Sequence, residues 1–444
     1  MPIDVDKVHD TKSFPAQVDV VVVGAGIVGA STAYELARKN LCVALVEKGV
    51  VGGEQSSRNW GWVRQQNRDL LELPLAVYSS RRWEELGPEM RADLGFRREG
   101  SLFASIDKDE IAQWERWSSA AREHGFVNEF LTARQLADRL PANKSKWVGG
   151  IWSASDAKAE PSMAAPAIVE GAKALGVHVH QNCAARGLEV VNGKVKGVWT
   201  ERGLIRSDAV VVAGGAWSSR LCRRHSVDIP VANVEGTAFR TTKAPDVIAV
   251  GCLNAGSYSM RRRLDGGYTL SVPGRGTINL APQNIRYASK FYQMFQAKLS
   301  KKLKYRLNSS FWNGPDAWGS WELDGRSPFE KIRIMDPAPE QDLIELALQR
   351  VVADFPELEG LKAEAAWGGL IDTSPDLIPV ISRCAALDGL VIATGFSGHG
   401  FGVGPGAGRL ASELVCNETP FIDATAYRLE RFSDGSAIKR PEMM

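Results

Sequence analysis

The segment Gly24-Ala25-Gly26-Ile27-Val28-Gly29 constrains this chain more than any other feature. Its G-x-G-x-x-G spacing follows a mostly β-branched run at 18–23 (VDVVVV) and precedes ASTAYELARKN at 30–40. In that second stretch Ala33, Tyr34, Leu36 and Ala37 recur at helical spacing, and Asn40 ends the pattern. A second apolar run, LCVALVE at 41–47, completes a strand–helix–strand unit. In such a unit the first glycine permits the tight turn and the second lets the backbone approach a pyrophosphate. The third lets helix and strand pack closely. The free amides and positive end of the helix favour phosphate. Glu47 closes the second strand, where a carboxylate accepts hydrogen bonds from an adenosine ribose. The motif predicts a dinucleotide site and does not by itself separate FAD from NAD.

The remaining 400 residues exceed what one simple core organises. A helix is expected over 165–176 with Pro166 in its first turn, then a strand (VHVHQNC) and a meander turning at Asn192-Gly193. Residues 209–212 and 390–395 read as further buried strands. Residues 235–335 are aromatic, Arg-rich and alternating, with a hairpin turn at Asp265-Gly266-Gly267. A helix is expected around 341–352 and another from Pro405 or Gly406 onward. The expected class is α/β with an α+β second part. A discontinuous Rossmann-like FAD-binding domain (17–95, 150–232 and 365–436) would carry an inserted antiparallel-sheet substrate domain (96–149 and 233–364). The N-terminal arm is expected to fray up to Val18.

Fifty-four Lys and Arg against 52 Asp and Glu give a net charge of +2, which offers no field for nucleic acid. The six cysteines are scattered, without metal-ligand spacing, so neither zinc nor a disulfide frame is expected. No apolar stretch approaches the ~20 residues that span a bilayer. A cytoplasmic chain is the expectation.

Three more stretches carry a resemblance: GGEQSSR at 52–58, VVVAGGAWS at 210–218 and ATGFSGHGFGVGPGAG at 393–408. Together with the fingerprint they resemble the D-amino-acid-oxidase-like FAD superfamily, which includes glycine and sarcosine oxidases. The overall pattern is most similar to bacterial membrane-associated L-amino-acid deaminases. The resemblance runs from Val18 to about Val415 and implies FAD as cofactor. It implies cofactor contacts at Gly24, Gly26, Ile27, Val28, Gly29 and Glu47, then at Lys48, Gly53, Ser56, Ser57 and Arg58. Ala184, Ala213, Gly214, Trp217 and Gly368 extend that set. In the last glycine-rich loop it adds Gly395, Gly398, His399, Gly400, Phe401 and Gly402. The helix after this loop would aim its positive end at a reduced flavin.

The chain also departs from the family. Amine oxidases attach flavin through a Cys six residues before the Pro of a T-P-D motif. Here the element is Ser374-Pro375-Asp376 and the sixth residue before the Pro is Gly369, so non-covalent FAD is expected. Gly402 stands where sarcosine oxidase has a carboxylate-holding Lys, and Thr269 where an oxygen-activating Lys is expected. The electron acceptor is therefore open between oxygen and another molecule. The N-terminal apolar anchor and membrane-contacting insertion of the deaminases are not found, so a soluble relative is expected.

For the substrate, Arg261 lies four residues before Asp265, as the carboxylate-binding Arg of the deaminases precedes its D-G turn. A guanidinium grips a carboxylate bidentately. Strand alternation puts Arg263 on the same face and Arg262 on the other. Arg64 lies near the place of a substrate-binding Arg in sarcosine oxidase. Trp60, Trp62, Trp367 and Phe396 are candidate pocket walls, Phe396 matching a pocket Trp of the deaminases. Hydride transfer from an amine needs orientation more than proton transfer, so no general base is assigned. Three functions stay open. The first is oxidation of an N-substituted amino acid of opine, fructosyl-amino-acid (Amadori) or N-methyl type. The second is deamination of free α-amino acids. The third is a flavin-carrying subunit that works with partner chains.

Overall fold

The computed structural model describes residues 4–296 and 303–439. Among them, a six-stranded sheet runs in the order Val380–Arg383, Leu390–Thr394, Ala209–Val212, Val20–Val23, Val43–Val46, His178–His180. All neighbours are parallel except the first pair. Every residue of Val20–Val23 and Val43–Val46 is buried, because both faces of this sheet are covered. Val20, Val22, Val43 and Leu45 face one core, which holds the helices Ile27–Arg38, Pro161–Ala174 and Gly400–Val415. Val21, Val23, Ala44 and Val46 face a second core, under the antiparallel meander Ala185–Val191, Lys194–Thr200, Gly203–Arg206. The meander turns at Asn192 (φ 51°) and Gly193 (φ 73°), a left-handed pair that matches the twist of a tight hairpin.

The second body is a ten-stranded sheet, with Ala232–Thr241 and Ala363–Thr373 paired along ten residues of register. Its core packs under the helix Gln341–Asp354. The Asp265-Gly266-Gly267 hairpin forms as expected, joining Ser259–Arg262 to Tyr268–Ser271. Gly149–Ser153 and Ala363–Thr373, which straddle the expected segment boundaries, both pair within this sheet. While still paired in the large sheet, Leu370 and Asp372 of the latter strand reach the cleft described below.

Three local expectations are corrected. The N-terminal arm is docked: Val8 is buried in the first core, Thr11 donates to the Val179 carbonyl and Gln181 Nε2 to that of Val8. The helix expected to begin at Pro166 begins at Pro161, leaving Pro166 inside it. Proline has no N–H for the Ser162 carbonyl. The amide of Asp6, in the docked arm, supplies it at 3.0 Å.

The glycine-rich helix starts at Gly400, ahead of Pro405. The Ser79 hydroxyl donates to the Gly402 carbonyl at 2.9 Å and accepts from the Gly406 amide at 3.1 Å. It thus touches both the carbonyl and the amide of an i→i+4 pair beside Pro405, a place where a side chain can bend a helix. Trp83 Nε1 donates to the same carbonyl at 2.9 Å. Ser79→Ala removes both of these buried bonds. It is expected to cost about 1–3 kcal/mol in urea unfolding of the holoprotein, and an unchanged midpoint would refute the bridge.

Candidate active site

A cleft of about 1280 Å³, its open mouth included, lies at the carboxyl ends of the parallel strands, where Val23, Val46 and Ala213 reach its wall. Open α/β sheets bind ligands at this edge. Gly24 turns there with φ 101°, and a Cβ on it would lie 2.5 Å from the Ala213 carbonyl oxygen. A Cβ on Gly29 would lie 1.9 Å from the Gly24 oxygen, so helix and strand touch backbone to backbone. Gly26 caps the helix Ile27–Arg38, whose first turn carries no acidic side chain. Ser56 Oγ accepts from the Ile27 amide at 2.8 Å. Glu47 accepts from the Ala25 and Gly49 amides, one on each oxygen, both at 2.8 Å. Burial pushes its carboxyl up, and Lys48 and those two amides oppose the rise. A carboxylate has lone pairs left for ribose hydroxyls after two such bonds. The cradle fits a dinucleotide.

Most of the expected cofactor set lies on this wall. Gly24, Gly26, Ile27, Val28, Glu47, Lys48, Gly53, Ser56 and Arg58 line one side. Ala213, Gly214 and Trp217 line another, and Gly398, Gly400 and Phe401 a third, where Phe396, expected as a substrate-pocket wall, joins them. The others point elsewhere. Gly29 serves packing. The Ser57 hydroxyl donates to the Glu54 carbonyl. Ala184 has its amide on Glu201 Oε1 and its oxygen on the Glu201 amide, so Ala185 takes the place on the wall. The carbonyl of Gly368 is held by Arg58, the amide of Gly395 by Asp372, and the carbonyl of Gly402 by Ser79 and Trp83. Asn59 and Asp372 line the cleft without having been expected. Asn59 directly follows a recognised motif and was within reach of sequence reasoning. Asp372 arrives from the other sheet, and no local pattern marks it.

Arg58 is fully buried. Its Nη1 donates to Asp336 at 2.6 Å and to the Gly368 carbonyl at 2.8 Å, while Nε and Nη2 have no protein partner. Buried donors of this kind are costly unless a ligand meets them. Arg58 is itself a lining residue of the cleft, which again fits an acceptor-rich cofactor.

Arg261 departs from the expectation of a free carboxylate anchor. Its side chain is 0% exposed. Nε donates to the Trp60 carbonyl at 2.6 Å, Nη1 and Nη2 grip Glu160 at 2.9 and 3.1 Å, and Nη2 also reaches Thr269. Arg263 lies on the same face, as alternation requires, 3.9 Å from Glu160 and bonded to Asp265. The carboxylate that Arg261 binds is therefore the protein's own.

Arg64 is different. Its Nη1 donates to the Gln66 carbonyl at 2.7 Å, and its guanidinium lies 5.7 Å from the Phe103 ring. Trp62, two residues earlier, meets the same ring edge-on at 6.0 Å. Burial and the neighbouring Arg68 pull Arg64 down to about 9, so it is a cation at neutral pH. Behind it, Glu72 is fully buried and lies 2.7 Å from His399 Nδ1. Burial opposes ionisation of Glu72, but His399, Arg68 and Arg64 together hold its carboxyl below the usual range. Burial, helped by Arg68, pulls His399 down to about 4. His399 is thus neutral at pH 7 and donates Nδ1–H to an anionic Glu72. Among the described residues no cluster of His, Cys, Asp and Glu could hold a metal ion, and no helix is long and apolar enough to cross a membrane.

Two outcomes are expected. Arg261→Ala strands the Glu160 charge and should cost about 3–5 kcal/mol, with Arg261→Met/Glu160→Met recovering much of it in urea unfolding. Unchanged stability with weakened substrate binding would return Arg261 to the substrate. His399 is neutral when folded down to about 4, against a usual 6.5. Its share of stability is therefore complete above the usual value and lost as pH falls between the two. His399→Gln should flatten the acid limb of stability over that window, measured against wild type.

Known proteins agree with this geometry. The family described as FAD dependent oxidoreductase matches residues 19–414. The L-amino acid deaminase of Proteus myxofaciens, solved in complex with anthranilate, superposes with a TM-score of 0.92. It has 28% identity and 97% coverage of both chains. Glycine oxidase of Pseudomonas aeruginosa is 26% identical over 92% of this chain and 97% of its own. Sarcosine oxidase subunit beta of an Arthrobacter species is 24% identical over 95% and 92%. With the dinucleotide cradle in place and the family match spanning nearly the whole chain, this protein belongs to the FAD dependent oxidoreductase family.

Proposed function

We propose that the protein oxidises the C–N bond of an N-substituted amino acid (fructosyl-amino acid, opine or N-methyl type) with non-covalently held FAD. The single observation that carries the choice of substrate is the closed Arg261–Glu160 pair. It fills the place where the deaminase-like reading needs a free guanidinium for an α-carboxylate. Arg64 lies beside the rings of Trp62 and Phe103, and it suits a carboxylate set further from the oxidised carbon. The name of one relative, sarcosine oxidase subunit beta, specifies an N-methyl substrate. Non-covalent attachment is supported by the cleft wall, where the described lining residues include no cysteine, histidine or tyrosine.

FAD, when bound, supplies an acceptor for hydride from the carbon beside the amine. The chain's own residues orient and shield. Arg64 holds the carboxylate by charge-assisted hydrogen bonds. Phe396 and Phe401 exclude water from the cleft wall. The helix starting at Gly400 puts its positive end at the same wall, with no acidic side chain in its first turn. Thr269, at the expected lysine position, is held by Arg261 and Arg263 rather than offering a free cation, which suits an acceptor other than oxygen.

A second reading, deamination of free amino acids, is favoured by the 0.92 similarity to the Proteus deaminase. Anaerobic mixing with opines, fructosyl-amino acids, sarcosine and free L- and D-amino acids separates the two. Bleaching of the flavin by N-substituted compounds alone is expected; bleaching by free amino acids alone would give the second reading. Arg64→Gln should keep the flavin spectrum and weaken half-saturation about ten- to hundredfold, the loss of one charged hydrogen bond. Unaltered half-saturation would remove Arg64 from the site.

A further inference from the structure

The cleft has one wall that does not come from the nucleotide-binding sheet. Residues 327–337 run along the cradle, where Phe329 and Met335 enter the lining. Phe329 packs edge-on against Trp217, 5.7 Å away. Three cleft residues are tied to this crossing. Lys48 Nζ donates to the carbonyls of Ile332 (3.1 Å) and Arg333 (2.8 Å), Glu54 accepts from the Met335 amide (2.7 Å), and Arg58 pairs with Asp336 (2.6 Å). The outer ties lie away from the cleft. Arg333 grips Glu201 bidentately at 2.8 and 2.7 Å, and Arg186 grips Glu330 at 3.1 and 2.7 Å. Backbone contact is close: a Cβ on Gly49 would lie 2.5 Å from the Arg333 oxygen, and one on Gly368 2.5 Å from the Pro337 oxygen.

We propose that residues 327–337 form a strap that closes the cofactor cleft, and that release of its polar ties sets the rate at which FAD enters and leaves. This rests on the reading of FAD as non-covalently held. Phe329, Ile332, Ile334 and Met335 supply the apolar contacts of the segment, and ion pairs and backbone hydrogen bonds fasten it beside them. Asp336 is 39% exposed and Arg333 34%, so each pair has one partner open to water and salt. A wall held by buried apolar packing would respond to neither. A strap that opens as a unit lowers the barrier in both directions, so its loosening speeds binding and release together and moves the equilibrium affinity less than either rate.

The test follows FAD release from the holoprotein by the gain in flavin fluorescence, and rebinding to the flavin-stripped protein. Arg333→Gln and Asp336→Asn are each expected to speed release about two- to fivefold, the scale of one partly exposed ion pair. Rebinding should accelerate in parallel. Raising salt from about 0.05 M to about 1 M should speed release from the wild type, and less so from the double variant. That salt measurement stands even if a variant fails to fold. Unchanged release in folded variants with no salt effect would overturn the strap. Faster release with slower rebinding would overturn it too, since that pattern marks a damaged site rather than an opened gate. Denaturation serves as the control: flavin that stays with the precipitated chain would overturn both the strap and the non-covalent reading, whereas freed flavin with unaltered native release overturns the strap alone.

Discussion

The architecture depends on one contact between backbones, that of Gly29 with the Gly24 carbonyl. A single methyl group on Gly29 would lie 1.9 Å from that oxygen, so the helix can approach the strand only because both positions lack side chains. This approach brings the amino end of the helix Ile27–Arg38 to the end of Val20–Val23. The same turn brings the Ala213 carbonyl within 2.5 Å of a Gly24 Cβ position, drawing the neighbouring strand end into the cradle. Glu47 ties the third strand end to this turn through the Ala25 amide. A cleft made of three strand ends and a helix terminus therefore follows from sterics at two glycines. The apolar faces of the sheet add stability without choosing this geometry.

Charge is distributed around the cleft with the same economy. Burying an arginine costs several kcal/mol unless its donors are met. Arg261 is met completely, by Glu160, the Trp60 carbonyl and Thr269. Arg58, a residue of the cleft wall, is met at Nη1 only, and its Nε and Nη2 have no protein partner. Arg64 donates to one carbonyl and shares its surroundings with Arg68, Glu72 and Asp156. Degree of saturation separates these roles better than position along the chain does. A saturated guanidinium fixes structure, and one with donors to spare is available to a ligand.

The parts legible in the sequence are those whose cause is local. The strand–helix–strand unit, the Asn192-Gly193 turn, the Asp265 hairpin and the glycine loop are each specified by residues within a few positions of one another. What escaped is specified from far away. Pro166 stays inside its helix because Asp6 supplies the missing donor. Beside Pro405, Ser79 arrives from another helix to bond the Gly402 carbonyl and the Gly406 amide. Arg261 looks free on its hairpin, and only the fold brings Glu160 to it from 101 residues away. The cofactor-side wall was readable because a phosphate cradle is a backbone motif. Trp62, Arg64 and Phe103, proposed for the substrate side, come together from separate elements and cannot be paired without the topology.

The joint between the two bodies shows why arginine recurs there. Arg261 holds the Trp60 carbonyl, Arg58 that of Gly368, and Arg333 that of Lys48. Each spans the nucleotide-binding and large-sheet bodies and ends on a main-chain oxygen. Apolar contact is non-directional and would let two sheets slide against each other at little cost. A planar guanidinium bonded to a carbonyl and a carboxylate fixes distance and angle together. Oxidation at a flavin needs the substrate wall and the cofactor wall held to within fractions of an ångström. Desolvating these charges sacrifices some stability, and in return the relative position of the walls is set by hydrogen-bond geometry instead of by shape alone.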